Sequence, residues 1–557
     1  MKYNLSNYQE LVSNRARDLT AERIIERIWE KDFTVWGNSP EEISNRLGWL
    51  DCMEVTRKSI TEIKTFVDEI RKEGFTDVLL MGMGGSSLAP EVFRLTFGVK
   101  EGFLDLHVLD STHPEAIINY EKKLDPKKTL YIVSTKSGGT VETMSFMKYF
   151  YSSVSKKLGK ENVSKHFIAI TDPGSGLEDI AKKLNFRKIF LNDPDIGGRF
   201  SALSLFGIVP AALVGVDIEK LFDEAKLLEN EIKLPSVEKN TGAMLGVILG
   251  SLAESGVDKI TFITSPQLKY LGGWMEQLIA ESTGKKGKGI LPVDLEPIVS
   301  VSNYGKDRVF IYIKLIEDNS LDSRVSEIKE AGFPLIEIEM KNVYQLGAEF
   351  FRWEFATAVV GHVIDIQPFD QPNVESAKII ARQMMKEFQE KGKLPELKST
   401  FQREEMKVYS DFNVDDLKDV LPHFFSDIKS GKNYVTLQAY LNPDEKIWQK
   451  LQQLRLKILE NYKVATTLGY GPRFLHSTGQ LHKGDSGNGF FIQFVSDVQN
   501  DIAILDDAGK NESSISFGTL IQAQALGDRQ ALLDNRRKVL TIDLGKDISK
   551  SLSKLLV

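Results

Sequence analysis

Residues 77–90 read DVLLMGMGGSSLAP: a short apolar run closing on Gly82, a glycine loop, and a helical stretch from about Ala89. Short apolar runs bounded by turn residues fit strands buried on both faces. The cycle recurs. Residues 104–109, 130–134 and 167–171 are further β-rich runs, each followed by turn residues and then a helical pattern. Strands alternating with helices predict a parallel sheet covered on both sides. A second cycle opens with KITFIT at 259–264 and a helix over 267–281. Strands at 308–314 and 335–339 and a mostly apolar helix over 346–363 follow. The expected fold class is α/β, with two doubly wound parallel-sheet domains at 46–222 and 235–390, joined by a charged segment around 222–240. Residues 1–45 read as a helical amino-terminal segment, with apolar spacings of three and four. The Lys-, Glu- and Pro-rich stretch 390–405 is the best boundary, and 406–557 is a mixed α/β carboxyl-terminal region.

Composition narrows the function classes. Of 557 residues 42% are hydrophobic and 27% charged, the profile of a globular chain rather than a disordered or membrane one. A single cysteine, Cys52, excludes a disulfide framework and suits a reducing cytoplasm. Lys plus Arg is 71 and Asp plus Glu 78, so the net charge of −7 argues against nucleic acid as a partner. It leaves room for a local basic pocket holding one phosphate. The first 19 residues have no apolar core of a leader, and no apolar run approaches the roughly 20 residues of a membrane span. The expected setting is cytoplasmic, without membrane contact.

Two loops offer anion chemistry. Gly84, Gly85 and Ser86 lie between a strand and a helix, where backbone N–H groups and hydroxyls donate to an anion. Ser87 stands where a dinucleotide fingerprint needs its third glycine, and no Gly-Lys-Ser/Thr follows. Taken alone, such a loop is more often an ordinary tight turn between strand and helix. Thr135, Lys136, Ser137 and Thr140 form a second strand-to-helix loop with hydroxyls and a cation, suited to a phosphate monoester. Arg199 follows two glycines at the mouth of an apolar helix, placed for a developing oxyanion or simply for the surface. Gln277 and Glu281 are four apart and share a helix face. A carboxylate at a helix end opposes the dipole, which favours a general base, although such glutamates are usually solvated. Gln371 and Lys378 fall in FDQPNVESAK at 369–378, and His476 and His482 in HSTGQLHKG at 476–484. With no nearby cysteine or acidic cluster the histidines suit a proton shuttle better than a metal.

Together these segments resemble the phosphoglucose isomerase family, whose two sugar-isomerase (SIS) domains match the two α/β domains. The matching motifs are GMGGSSLAP at 82–90, STKSGGTVET at 134–143, DIGGRFS at 195–201, ESTGK at 281–285 and FDQPNVESAK at 369–378. The resemblance is greatest to the isomerase half of the bacterial bifunctional transaldolase–phosphoglucose isomerases, and there is no room for a transaldolase barrel. It implies interconversion of glucose 6-phosphate and fructose 6-phosphate by an enediolate route without metal or cofactor. Ser86, Thr135, Lys136, Ser137 and Thr140 are implied on the sugar phosphate and Glu281 as the base. Arg199 would stabilise the enediolate, with Gln277, Gln371 and Lys378 around the sugar and Lys378 aiding ring opening. The family's ring-opening histidine normally follows the glutamate by some thirty residues, whereas here no histidine lies between Glu281 and His362. The expectation is that 406–557 supplies a rearranged piece of the second domain, with His482 in that role and His476 second. A homodimer is also implied. Mannose 6-phosphate as a further substrate and a non-catalytic sugar-phosphate binding protein are the alternatives.

Overall fold

The computed structural model describes residues 1–556, with residues 375–377 by backbone alone. Its first sheet has five parallel strands in the order Asp105–Leu109, Asp77–Gly82, Thr129–Ser134, Phe167–Thr171, Lys188–Leu191. Thr129–Ser134 is buried at every position, as a strand with helices on both faces must be. The chain runs from Asp77–Gly82 to one neighbour and then to the other, so the sheet changes direction between Asp77–Gly82 and Thr129–Ser134. Open α/β sheets bind ligands at the carboxyl ends of such a strand pair. Those ends here carry the loops 82–87 and 134–140.

The second sheet runs Lys2–Asn4, Leu335–Met340, Arg308–Leu315, Lys259–Thr264, Leu291–Val293, and only Lys2–Asn4 is antiparallel. The amino terminus thus departs from the expected helix before helices Gln9–Ala21 and Ile24–Trp29 begin. Lys2 Nζ lies 3.2 Å from Glu339 across that pairing. One hydrophobic core spans both sheets, through helices such as Thr241–Glu254 and Leu346–Val363. These two helices touch closely because Gly246 has no side chain: a Cβ there would sit 2.5 Å from Ala356 O.

Residues 401–543 build a third, six-stranded sheet, hydrogen-bonded to neither of the others, in the order Phe401–Arg403, Met406–Tyr409, Lys538–Asp543, Gly489–Val495, Tyr434–Ala439, Ala465–Tyr470. One face is apolar (Val408, Leu437, Ile492, Leu540) and packs on helix Glu445–Tyr462 through Leu451, Leu454 and Ile458. The other face is joined to helix Leu271–Thr283, beside the second sheet, by short helix Gly479–Gly484. Gly284 and Gly484 let the two backbones meet, since a Cβ on Gly284 would lie 2.3 Å from Leu481 Cα and one on Gly484 2.2 Å from Gly284 O. Among the described residues no helix is long and apolar enough to cross a membrane.

Candidate active site

Glu281 sits near the end of helix Leu271–Thr283, almost wholly buried. One carboxylate oxygen is 3.3 Å from the Arg199 guanidinium, and the other accepts from Gln277 Nε2 at 3.1 Å. Gln277 Nε2 also donates to His476 O at 2.9 Å, while Gln277 Oε1 is buried without a partner. The glycine loop makes this approach feasible. Gly84 has φ 54°, and a Cβ on it would lie 2.7 Å from Gln277 Nε2 and 2.8 Å from His476 O. A Cβ on Gly85 would fall 1.9 Å from Gly198 O, so only glycine lets this loop lie against the one carrying Arg199.

Arg199 is fully engaged. Nε donates to Ser282 Oγ at 2.9 Å, Nη1 to Gln371 Oε1 at 2.9 Å, and Nη2 to the carbonyls of Pro368 and Asp370, both at 2.8 Å. Burial pulls the guanidinium below its ordinary pKa, against the raising effect of the Glu281 and Asp370 charges. Lys285, just past the helix end, donates to Gln367 O at 2.6 Å and to Asp370 O and Oδ1 at 2.5 and 2.6 Å. Burial first, and then the Arg199 charge, push its ammonium down to about 7.

Beside this cluster lies a cavity of about 230 Å³ walled by Ser137, Thr140, Glu142, Lys378, His476 and Gln524, among others. Thr135 and Thr140 hydroxyls are 3.1 Å apart, and Ser134 Oγ donates to Ser86 O at 3.1 Å, joining the two loops. His476 Nε2 is 3.0 Å from Glu142 Oε1, which also accepts from Gln524 Nε2 at 2.7 Å. Burial acts to raise the Glu142 pKa, but the His476 charge and hydrogen bond, with Lys378 beyond, outweigh it and hold the carboxyl below its ordinary value. Gln480, fully buried, donates to Gly284 O at 2.8 Å and to Asn373 Oδ1 at 2.7 Å, tying the 369–378 segment to the turn after Glu281.

The structure therefore gathers Gly84, Gly85, Arg199, Gln277, Glu281, Gln371 and His476 in one contact network, with Ser137, Thr140 and Lys378 on the adjoining cavity. Two residues expected at the site have other neighbours in this structure. Lys136 turns away from the cavity because Asp172 claims it: its ammonium donates to that carboxylate and, at 2.6 Å, to Pro194 O. His482 faces the third sheet, its ring 5.1 Å from Phe491 and its Nδ1 3.4 Å from Gln438 Nε2. Burial, then the Lys483 and Arg537 charges, hold that imidazole well below its ordinary pKa. Glu142, Gln480, Lys285 and Gln524 were not singled out from sequence. The first three fall inside quoted motifs, but nothing local distinguishes Glu142 from a glutamate favoured by a helix amino terminus. Among the described residues no three His, Cys, Asp or Glu side chains gather to hold a metal ion.

The family model for phosphoglucose isomerase matches residues 48–291. The chain is 29% identical over 386 residues to the probable glucose-6-phosphate isomerase of Methanococcus maripaludis, covering 62% of this chain and 85% of that one. It is 28% identical over 387 residues to a glucose-6-phosphate isomerase of Thermus thermophilus, covering 62% and 91%. Among solved structures, a hypothetical protein of Thermus thermophilus superposes with a TM-score of 0.58 at 24% identity, over 69% of this chain and 99% of that one. A glucose-6-phosphate isomerase of Chlamydia trachomatis does so with a TM-score of 0.58 at 18% identity, over 67% and 86%. These two likenesses concern the fold.

Proposed function

We propose that the chain, which matches the phosphoglucose isomerase family model over residues 48–291, interconverts glucose 6-phosphate and fructose 6-phosphate through an enediolate. The phosphate is held by the hydroxyls and backbone of the 134–140 loop, with Ser137 and Thr140 on the cavity wall. Glu281 carries the proton between C2 and C1. As C2 loses its proton, negative charge gathers on the carbonyl oxygen, and the Arg199 guanidinium beside Glu281 stabilises it. Gln277 Oε1, buried and without a partner, takes a sugar hydroxyl. His476, its imidazole held by Glu142, donates a proton to the ring oxygen as the bond from that oxygen to the anomeric carbon breaks. The anomeric hydroxyl gives up its proton to solvent, and the Lys378 ammonium stabilises the charge that builds there.

One observation carries this reading: a single amide, Gln277 Nε2, bonds both the Glu281 carboxylate and the backbone of His476 at the cavity wall. Residues 406–557 then complete the site from outside the first two sheets. The same reading makes the protein a cytoplasmic homodimer, which sedimentation equilibrium tests for the dimer. The test of activity is a coupled assay of purified protein on fructose 6-phosphate and mannose 6-phosphate, with and without chelator. Turnover of fructose 6-phosphate that survives chelation is expected. No turnover would reject the proposal, and equal turnover of both sugars would widen it.

A further inference from the structure

The segment Gln367 to Gln371, between helices Leu346–Val363 and Val374–Lys391, belongs to neither a helix nor a strand. It nevertheless supplies three of the acceptors that aim Arg199: Pro368 O, Asp370 O and Gln371 Oε1. Backbone without a ladder or a helix must be tied down by other means. Part of the tie is local, since Gln367 Oε1 accepts the N–H groups of Phe369 and Asp370 at 2.8 and 2.6 Å. The rest is Lys285. Its ammonium has three protons, and three acceptors surround it: Gln367 O, Asp370 O and Asp370 Oδ1. The side chain is only 4% exposed.

Asp370 O consequently receives two cations, Lys285 and Arg199. A buried ammonium next to a buried guanidinium is costly, and simple fastening of a loop does not require it. The backbone of Lys285 is also fixed, its N–H donating to Lys288 O at 3.1 Å. Lys285 therefore links the end of the helix bearing Glu281 to the segment that orients Arg199. We infer that Lys285 is a positioning residue of the isomerisation, acting through Arg199: it holds the carbonyls that set the guanidinium against Glu281. The inference rests on the isomerase reading above.

The test compares wild type, Lys285→Met, Arg199→Lys and the double variant in fructose 6-phosphate turnover, with amide hydrogen exchange followed over 367–371. Lys285→Met is expected to lose about 10- to 100-fold in kcat with little change in KM, as a misplaced catalytic group does. Exchange over 367–371 should speed up. In the Arg199→Lys background the further loss should be small, because the two residues act as one unit. Near-normal kcat in Lys285→Met, or losses that multiply in full, would overturn the inference. If Lys285→Met does not fold by thermal melting, Lys285→Gln is judged by the same criteria. A wild type without turnover would reject the isomerase reading instead, and the exchange data would still decide whether Lys285 holds the segment.

Discussion

Arg199 stands 3.3 Å from Glu281, and every other bond it makes goes to Ser282 or to the segment 368–371. The guanidinium is thus held in place by groups that do not react, and the carboxylate is the one partner whose charge changes when a proton moves. On the proposed mechanism this division lets the cation stay still while charge develops, which is how a preorganised site lowers a barrier.

Replacing Glu281 by Gln keeps the volume and an acceptor for Gln277 but removes the base. Turnover is expected to fall about 10²- to 10⁴-fold, the usual worth of a positioned acid–base group. Titration calorimetry should still detect sugar-phosphate binding. A variant that turns over near the parental rate would exclude Glu281 as the proton carrier.

The two histidines separate in experiment. His476→Asn should slow reaction from the cyclic sugar more than solvent proton exchange on an open-chain substrate, because the imidazole touches the cavity and Glu142. His482→Phe should leave both rates close to parental, since its ring lies among Phe474, Phe491 and Gln438. The reverse pattern would reassign the ring-opening role.

Glu276 and Asp294 give a pH signature. Burial raises both carboxyls, and the Asp294 charge raises Glu276 further. A carboxyl raised in the folded state keeps its proton there after the unfolded chain has lost it. The folded state then binds more protons, so stability falls as pH climbs from the unfolded value toward the folded one. Glu276→Gln removes this penalty: its stability relative to the parent should improve from pH 5 to pH 8 in urea titrations. A constant difference across that range would contradict the assignment.

Lys483 and Asp528 form an ion pair at 2.6 Å with side chains 1% and 0% exposed. Breaking one side leaves a buried charge alone, so Lys483→Met should cost about 3–5 kcal/mol in denaturant unfolding. Lys483→Met with Asp528→Leu should recover much of that. A loss under about 1 kcal/mol, the scale of a surface pair, would mean that water reaches the site.

How far the amino acids alone reveal this site depends on how local each signal is. The strands at 77–81 and 130–134 and the glycine turns after them are legible because the apolar run and the turn chemistry are contiguous. The need for glycine at 84 and 85 is legible in kind, but the groups that crowd them, Gln277, His476 and Gly198, come from other loops. Lys136 shows the same limit. Its charge is evident, yet its direction is set by Asp172, at the end of a neighbouring strand. Lys2–Asn4 has only three residues, too few for any periodicity, and its pairing depends on an edge contributed by Leu335–Met340. Choosing between His476 and His482 requires knowing which side of the helix Gly479–Gly484 meets the third sheet, and no spacing encodes that.

On the proposed mechanism, the reach of His476 to Gln277 and Glu142 makes the reaction a gauge of completed assembly. A nascent chain that has not yet emitted residue 476 already holds both turns proposed to bind the sugar phosphate, but it lacks the imidazole proposed for ring opening. A protease nick in the 392–400 connector that leaves the two pieces clasped should spare catalysis. Release of the tail piece should silence it, so enzymatic output during refolding would time the last docking event rather than the formation of either earlier sheet.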